Sequence, residues 1–304
     1  MSDLLAIGEA LVELNQPSDG APFVQGFGGD TSNAMIAAAR LGADASYFTA
    51  IGADRFGQSL TELWMREGVD ASRIVVNGGA HTGLYFVTHG PEGHEFSYMR
   101  AGSAASRIGE QDLPVDRIRE TKILHLSGIS QAISSSAADA VFAAIDIAHA
   151  AGRLVSYDPN LRLKLWPLRR ARSIIHEAMR SCDIALPGLD DAEALASLRD
   201  PDAVADFYLG LGARVAVVKM GKAGALVATA SGRERIYPQK VKAVDATGAG
   251  DCFDGAFLAE FVRAADPFAA ARFANIAASL STLGYGAVAP LPRRAEVEAA
   301  MKRG

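Results

Sequence analysis

Cysteine is nearly absent: the chain has 304 residues and only Cys182 and Cys252. Two thiols cannot build a disulfide framework or a cysteine-rich zinc site. They fit a reducing compartment, so a cytoplasmic location is expected. The six histidines show no HExxH or similar ligand spacing. Lys and Arg number 30 against 35 Asp and Glu, a net charge of −5. There is no long basic run, so a nucleic-acid partner is not expected. The densest basic group, Arg169, Arg170 and Arg172, reads as the solvated face of a helix. No stretch reaches about 18 uninterrupted apolar residues, so no membrane span is expected. Met1-Ser2-Asp3-Leu4-Leu5 lacks a basic region followed by a long apolar run, so no secretory leader is expected either. What is present is ordinary for a globular protein: 49% apolar and 21% charged residues. The length suits about two domains, or one large α/β domain with an appendage.

Strand-like and helix-like segments alternate along the chain. Leu4–Ile7, Ala45–Ile51, Lys122–Leu126, Leu154–Tyr157, Asp183–Leu186 and Val215–Lys219 are short apolar runs that read as buried strands. Between them lie helical patterns. Ala34, Ala37, Ala38 and Leu41 share one face of a helix beginning near Asn33 and stopped by Gly42. Leu60, Leu63 and Trp64 mark another, closed by Gly68, and Ser136–Ala151 precedes Gly152. Such alternation predicts βαβ units in a mainly parallel sheet with helices on both faces. Two stretches break the rhythm. Glu13–Gly26 is punctuated by Pro and Gly. Thr82–Arg100 alternates around Tyr85, Val87, Phe96 and Tyr98, with a turn at Gly90-Pro91-Glu92-Gly93, and reads as a hairpin. Together they suit a small sheet projecting from the main domain.

The segment richest in chemistry is Val244-Asp245-Ala246-Thr247-Gly248-Ala249-Gly250-Asp251-Cys252-Phe253-Asp254-Gly255. Small residues at 246–250 permit close backbone approach. Phe253, Ala256, Phe257 and Phe261 then follow at helical spacing, so the loop opens a helix. Its unpaired N–H groups and the helix dipole favour an anion. Asp251 beside that anion hole is placed to accept a proton from an attacking hydroxyl. The same spacing also fits a tight turn with Asp251 as N-cap. Neither GxxxxGK[ST] nor GxGxxG is present. A second glycine pair, Gly28-Gly29-Asp30-Thr31-Ser32-Asn33, precedes the helix near Asn33, whose amide can donate to and accept from polyol hydroxyls. Taken alone, it reads as an ordinary helix start capped by Asp30 or Ser32.

These two segments resemble the two signatures of the ribokinase-like, or PfkB, family of carbohydrate kinases. Gly28-Gly29 to Asn33, with Gly42 and Gly52, is similar to the N-terminal signature. Asp245 to Asp251 is similar to the C-terminal one. The likeness covers essentially residues 1–304 as one kinase domain. It implies a ribokinase-like α/β fold with a small β lid near residues 13–26 and 82–100. Gly8-Glu9-Ala10-Leu11-Val12-Glu13-Leu14-Asn15, Tyr98-Met99-Arg100 and Asp158-Pro159-Asn160-Leu161-Arg162 together resemble 2-keto-3-deoxygluconate kinases. That substrate is a sugar acid, whose carboxylate needs a cation or several donors. Arg100 on the hairpin suits it, with hydroxyl contacts from Tyr85 and Tyr98. Read without the resemblance, these are a surface charge and lid-packing or dimer-contact residues.

The resemblance implies the remaining assignments. Asp251 is the base, and the Gly248, Ala249 and Gly250 N–H groups stabilise phosphate charge. Gly29, Asn33, Tyr85, Tyr98, Arg100, Arg162 and Asp251 bind the sugar. Arg162 lies just beyond the strand ending at Tyr157, between sugar and phosphates, where its charge also serves catalysis. It reads equally as a structural salt bridge to Asp158. Lys219, Gly221, Gly224, Gly248, Gly250 and Asn275 contact the nucleotide, and Gly284-Tyr285-Gly286-Ala287 lines the same pocket. Each of Lys219, Gly221, Gly224 and Asn275 also reads as a turn or helix-packing residue. ATP and Mg²⁺ are the expected co-substrates, with a monovalent cation near Asp245 and a homo-oligomer also implied. Gly188-Leu189-Asp190-Asp191 stands where many relatives have Asn-x-x-Glu, leaving Asp191 as a metal contact through water. Glu13 stands near a sugar-binding Asp of ribokinases, which weakens a ribokinase reading. The expected reaction is ATP-dependent phosphorylation of 2-keto-3-deoxygluconate to 2-keto-3-deoxy-6-phosphogluconate. The alternatives are a kinase for a neutral sugar such as fructose or ribose, and a non-catalytic sugar sensor on the same fold.

Overall fold

The computed structural model describes residues 2–90 and 93–303. Its strands are β1 (Leu4–Ile7), β2 (Leu11–Asn15), β3 (Val24–Gly28), β4 (Ala45–Phe48), β5 (Ala50–Gly52), β6 (Val75–Asn77), β7 (Leu84–Gly90) and β8 (Gly93–Met99). β9 (Ile123–Ser127), β10 (Leu154–Asp158), β11 (Ile184–Ala185), β12 (Val215–Lys219), β13 (Ala225–Thr229) and β14 (Gly232–Ile236) follow. The helices are α1 (Asp30–Arg40), α2 (Arg55–Glu67), α3 (Val115–Glu120), α4 (Gly128–Ala132), α5 (Ser135–Ala150) and α6 (Leu168–Arg180). α7 (Leu189–Ala196), α8 (Pro201–Leu211), α9 (Ala249–Ala264), α10 (Pro267–Ser281) and α11 (Arg294–Met301) complete the chain.

One sheet runs in the order β14-β13-β12-β11-β10-β9-β1-β4. From β12 to β4 all neighbours are parallel, whereas β13 and β14 pair antiparallel at the other edge. Alternate strand residues enter two separate cores, as the two-residue side-chain period requires. Leu4, Ala6, Val215 and Val217 pack with α1, α9 and α10 on one face. Leu5, Ile7, Ala216 and Val218 pack with α5, α6 and α8 on the other. Burial on both faces explains why these strands are apolar throughout instead of alternating. The mainly parallel sheet with helices on both faces is therefore as expected.

The two irregular stretches form a second sheet, β3-β2-β7-β8. β2 runs antiparallel to β3 and parallel to β7, and β7 pairs antiparallel with β8. Pro91 and Glu92, the middle of the expected hairpin turn, lie outside the described residues.

Two boundaries depart from the sequence reading. Ala45–Ile51 is not one strand: after Phe48 the chain leaves the large sheet, and β5 pairs with β6 in a separate two-stranded sheet. Thr49 at the break is fully buried and Ala50 and Ile51 resume the apolar run, so no turn residue marks it. The helix expected from Asn33 starts at Asp30, and neither Asp30 nor Ser32 caps it. Gly29 is the N-cap, with φ 115°, and a Cβ there would stand 2.4 Å from the Glu9 carbonyl oxygen. Only glycine fits that approach. Ser32 instead accepts from the indole of Trp64 at 2.9 Å, and Asp30 is left to face a cavity. Arg169, Arg170 and Arg172 are exposed on α6, as expected.

Candidate active site

Parallel strands deliver all their C-terminal ends to one edge, where open α/β sheets bind ligands. Here Asp158 ends β10 and Lys219 ends β12, while α1 and α9 begin beside them. A cavity of about 1210 Å³ opens at this edge, closed on one side by the smaller sheet. The two glycine loops, separated by more than two hundred residues, meet there. Asn33 Nδ2 donates to Asp251 Oδ2 at 2.8 Å. Asp251 is not the N-cap of α9: Gly248 is, with φ 74°, and Asp251 is the third helical residue. Gly248 and Gly250 line the cavity, and a helix start leaves its first N–H groups without intrahelical partners.

The carboxyl of Asp251 is pushed up to about 7, by burial first and then by the charge of Asp30, against the opposing bond from Asn33. A carboxyl poised near neutrality suits proton acceptance. Asp30 lies one helical turn before Asn33 and accepts from Asn160 Nδ2 at 2.9 Å. Its Oδ1, like Asn33 Oδ1, is a buried acceptor with no partner. Asp191 also lines the cavity, and burial followed by the charge of Asp158 raises it to about 6. Arg162 is exposed on the cavity wall and donates to the Leu161 carbonyl. The expected salt bridge to Asp158 is not made, because Asp158 pairs with Lys219.

Gly29, Asn33, Tyr85, Tyr98, Arg100, Lys219 and Gly221 also line the cavity, but several are engaged differently from expectation. The Tyr85 hydroxyl donates its hydrogen to buried Glu13. Tyr98 is 45% exposed, stacks on Tyr85 at 5.8 Å and lies under the Arg100 guanidinium. Arg100, 12% exposed, is not a free surface charge: it pairs with the fully buried carboxyl of Glu9. Lys219 turns inward, its Nζ 2.9 Å from Asp158 Oδ2 and 2.8 Å from Asp254 Oδ2. Ala249 does not line the cavity; its N–H closes a turn onto the Ala246 carbonyl at 3.1 Å. Gly224 and Asn275 lie outside the lining too. Asn275 is buried on α10, where it donates to the Tyr237 carbonyl. Of 284–287 only Ala287 reaches the cavity; Gly286 N–H donates to Asp245 Oδ2.

The sequence reading missed Glu9, Asp30, Asn160 and Asp254 as site residues. Asp30 and Asp254 carried a faint signal. Each is three residues from a candidate, Asn33 or Asp251, and so on its helical face. Among the described residues no group of three or more His, Cys, Asp or Glu side chains is arranged to hold a metal ion. No helix among them is long and apolar enough to cross a membrane.

The chain is 35% identical over 97% of its length to a 2-dehydro-3-deoxygluconokinase of Thermoproteus tenax, covering 94% of that protein. It is 33% identical over 98% of its length to a probable fructokinase-4 of Arabidopsis thaliana, covering 96% of it. A putative ribokinase II from E. coli, solved with ATP and Mg²⁺, superposes with a TM-score of 0.92 at 27% identity, over 100% of both chains. The family model for pfkB family carbohydrate kinases matches residues 1–294, and the chain belongs to that family of sugar kinases.

Proposed function

We propose that this kinase transfers the γ-phosphoryl group of ATP to the terminal hydroxyl of 2-keto-3-deoxygluconate. One observation carries the reading: Asn33 and Asp251, from opposite ends of the chain, meet beside the glycine-rich start of α9 in one cavity. The unpartnered acceptors Asp30 Oδ1 and Asn33 Oδ1 suit a polyol, which brings many O–H donors. In the step itself Asp251 takes the hydroxyl proton, the freed oxygen bonds to the γ-phosphorus, and ADP leaves. The Gly248 and Gly250 N–H groups and the Arg162 charge stabilise the phosphates. Positioning and electrostatics dominate a loose transition state, so a carboxylate is base enough. Asp191 would hold a nucleotide-borne Mg²⁺ through water, and the ion would supply positive charge to the phosphates. Asp191 alone makes no metal cage, which fits a metal that arrives with its substrate. A monovalent cation would lie by the Asp245 turn, whose Oδ1 already accepts from Thr247 at 2.7 Å. The smaller sheet acts as the lid that excludes water.

The sugar acid is favoured by the kinship with a 2-dehydro-3-deoxygluconokinase and by Arg100. Only part of the Arg100 fork is taken by Glu9, and its Nε has no hydrogen-bond partner. A second reading, a neutral sugar such as fructose, is favoured by that same pair, because Glu9 offsets the charge of Arg100. ADP release with a panel of 2-keto-3-deoxygluconate, its galactonate epimer, fructose, ribose and adenosine separates them. Fastest turnover with the keto-deoxy acids supports the proposal. Fastest turnover with fructose or ribose replaces it with the neutral-sugar reading, and silence across the panel replaces both with a sensor. Arg100→Ala should raise KM for the sugar acid by about tenfold or more and leave a neutral sugar within about threefold. Asp251→Asn should lower kcat by about a hundredfold to ten-thousandfold with nucleotide affinity nearly unchanged. Near-normal turnover by that variant would remove Asp251 from its role.

A further inference from the structure

Lys219 is the most constrained cation at the site. Its ammonium has three N–H donors. The ammonium lies 2.9 Å from Asp158 Oδ2 and 2.9 and 2.8 Å from Asp254 Oδ1 and Oδ2, so both carboxyls hold it in place. Lys219 is 14% exposed, and both carboxyls are less so. Asp254 lies one helical turn after Asp251, on the same face of α9. A Cβ on Gly250 would stand 3.9 Å from Lys219 Nζ, so the ammonium sits against the first turn of α9. A cation at a helix start opposes the helix dipole. Its placement there needs a compensating anion, and Asp158, whose carboxyl the ammonium holds below the usual carboxylate range against its burial, supplies one.

We propose that Lys219 is a positioning residue of the transfer site, not a nucleotide ligand: it ties the start of α9 to the ends of β10 and β12 and offsets the carboxyls around Asp251. This rests on Asp251 being the base. The groups facing Asp251 come from every neighbouring element. α1 contributes Asp30 and Asn33, β10 contributes Asp158, and β12 contributes Lys219. His125 of β9 lies behind Asp158, and Tyr85 of β7 faces Asp251 from the smaller sheet. Cys252 adjoins it on α9, its thiol pushed up to about 12 by burial and so neutral. Arg162 and Asp191 line the same cavity. Among these, Lys219 is the cation that lowers the Asp251 carboxyl.

Three variants test the assignment through the acid limb of kcat/KM for the sugar. Lys219→Met removes a positive charge, and the limb should move up by about one pH unit. Burial holds the Asp254 carboxyl well above the usual carboxylate range, so Asp254→Asn changes the local charge little and its limb should stay within about 0.3 unit of wild type. The double variant also lacks the ammonium, and its limb should move up as that of Lys219→Met does, to within about 0.3 unit. KM for ATP should stay within about threefold throughout. Lys219→Met strands two buried carboxyls and risks unfolding. If it does not fold, Asp254→Asn and the double variant carry the test. A variant with turnover below detection is titrated by carbon-13 NMR of the Asp251 carboxyl, assigned against Asp251→Asn, and the same order is required. A limb that stays put in every folded variant overturns the proposal. So does a KM for ATP raised about tenfold by Lys219→Met with the limb unmoved, which would make Lys219 a nucleotide ligand. If Asp251→Asn retains turnover, the base reading fails by itself, and Lys219 is then judged on the NMR order alone.

Discussion

Gly255 offers the sharpest test of how the two glycine loops are held together. It lies within α9, where α9 packs on α1, and a Cβ there would stand 2.1 Å from the Ala34 carbonyl oxygen and 2.9 Å from Ala37 Cβ. Ordinary contacts need far more, so Gly255→Ala must push the helices apart by about 1 Å or more. Two effects compete. Alanine in a helix interior gains about 0.5–1 kcal/mol over glycine. Overpacking a well-filled core costs about 1–3 kcal/mol, and here the clash is with backbone, which cannot rotate away. The clash should win by about 1–2 kcal/mol. For 304 residues, an unfolding entropy of about 2.1 cal/mol/K per residue makes 1 kcal/mol equal to about 1.6 °C. Gly255→Ala should therefore melt about 2–3 °C below wild type in calorimetry. Activity should fall by about tenfold or more, because the Asn33–Asp251 bond spans these same helices. Gly210, near the end of α8, is the control: a Cβ there meets nothing within 4 Å. Gly210→Ala should leave activity alone and raise the melting temperature by about 1 °C. If Gly255→Ala melts at or above wild type while Gly210→Ala rises, the close-packing argument is wrong.

Asp251 makes stability depend on pH in a direction opposite to most carboxylates. Burial pushes its carboxyl in the folded protein up to about 7, well above the ordinary aspartate value. Its contribution is thus fully present below the unfolded pKa and is lost as pH rises through the folded one. Asp251→Asn should accordingly gain on wild type in melting temperature between about pH 5 and about pH 8, and a constant offset across that range would contradict the burial argument. Tyr85→Phe leaves buried Glu13 without its hydroxyl donor. It should lower the melting temperature by about 2–5 °C while changing the sugar KM less than about threefold. A large KM effect would return the Tyr85 hydroxyl to the substrate.

Much of the framework was legible because it is written in local terms. Short apolar runs marked strands of the large sheet, including β1 and β12 to the residue, and helical patterns marked α1, α2, α5 and α9. Gly68 closes α2 in the left-handed conformation, as its position after the apolar face required. The hairpin alternation at 82–100 became β7 and β8. Residue type and chain order pointed to the two glycine loops before any contact was known. The break after Phe48 was not legible, because leaving one sheet for another changes pairing partners and not hydrophobicity.

What the sequence alone determined is therefore the alternating α/β order, the two glycine-rich loops and the residue types they bring to one edge of a sheet. Only the tertiary structure decided which polar groups are already engaged. Glu9 and Arg100, Lys219 with Asp158 and Asp254, and Glu13 with Tyr85 are pairs drawn from distant segments. A charged side chain carries no local mark of the partner it will meet. Burial makes an unpaired charge costly, so the fold selects these partners by proximity within the packed chain.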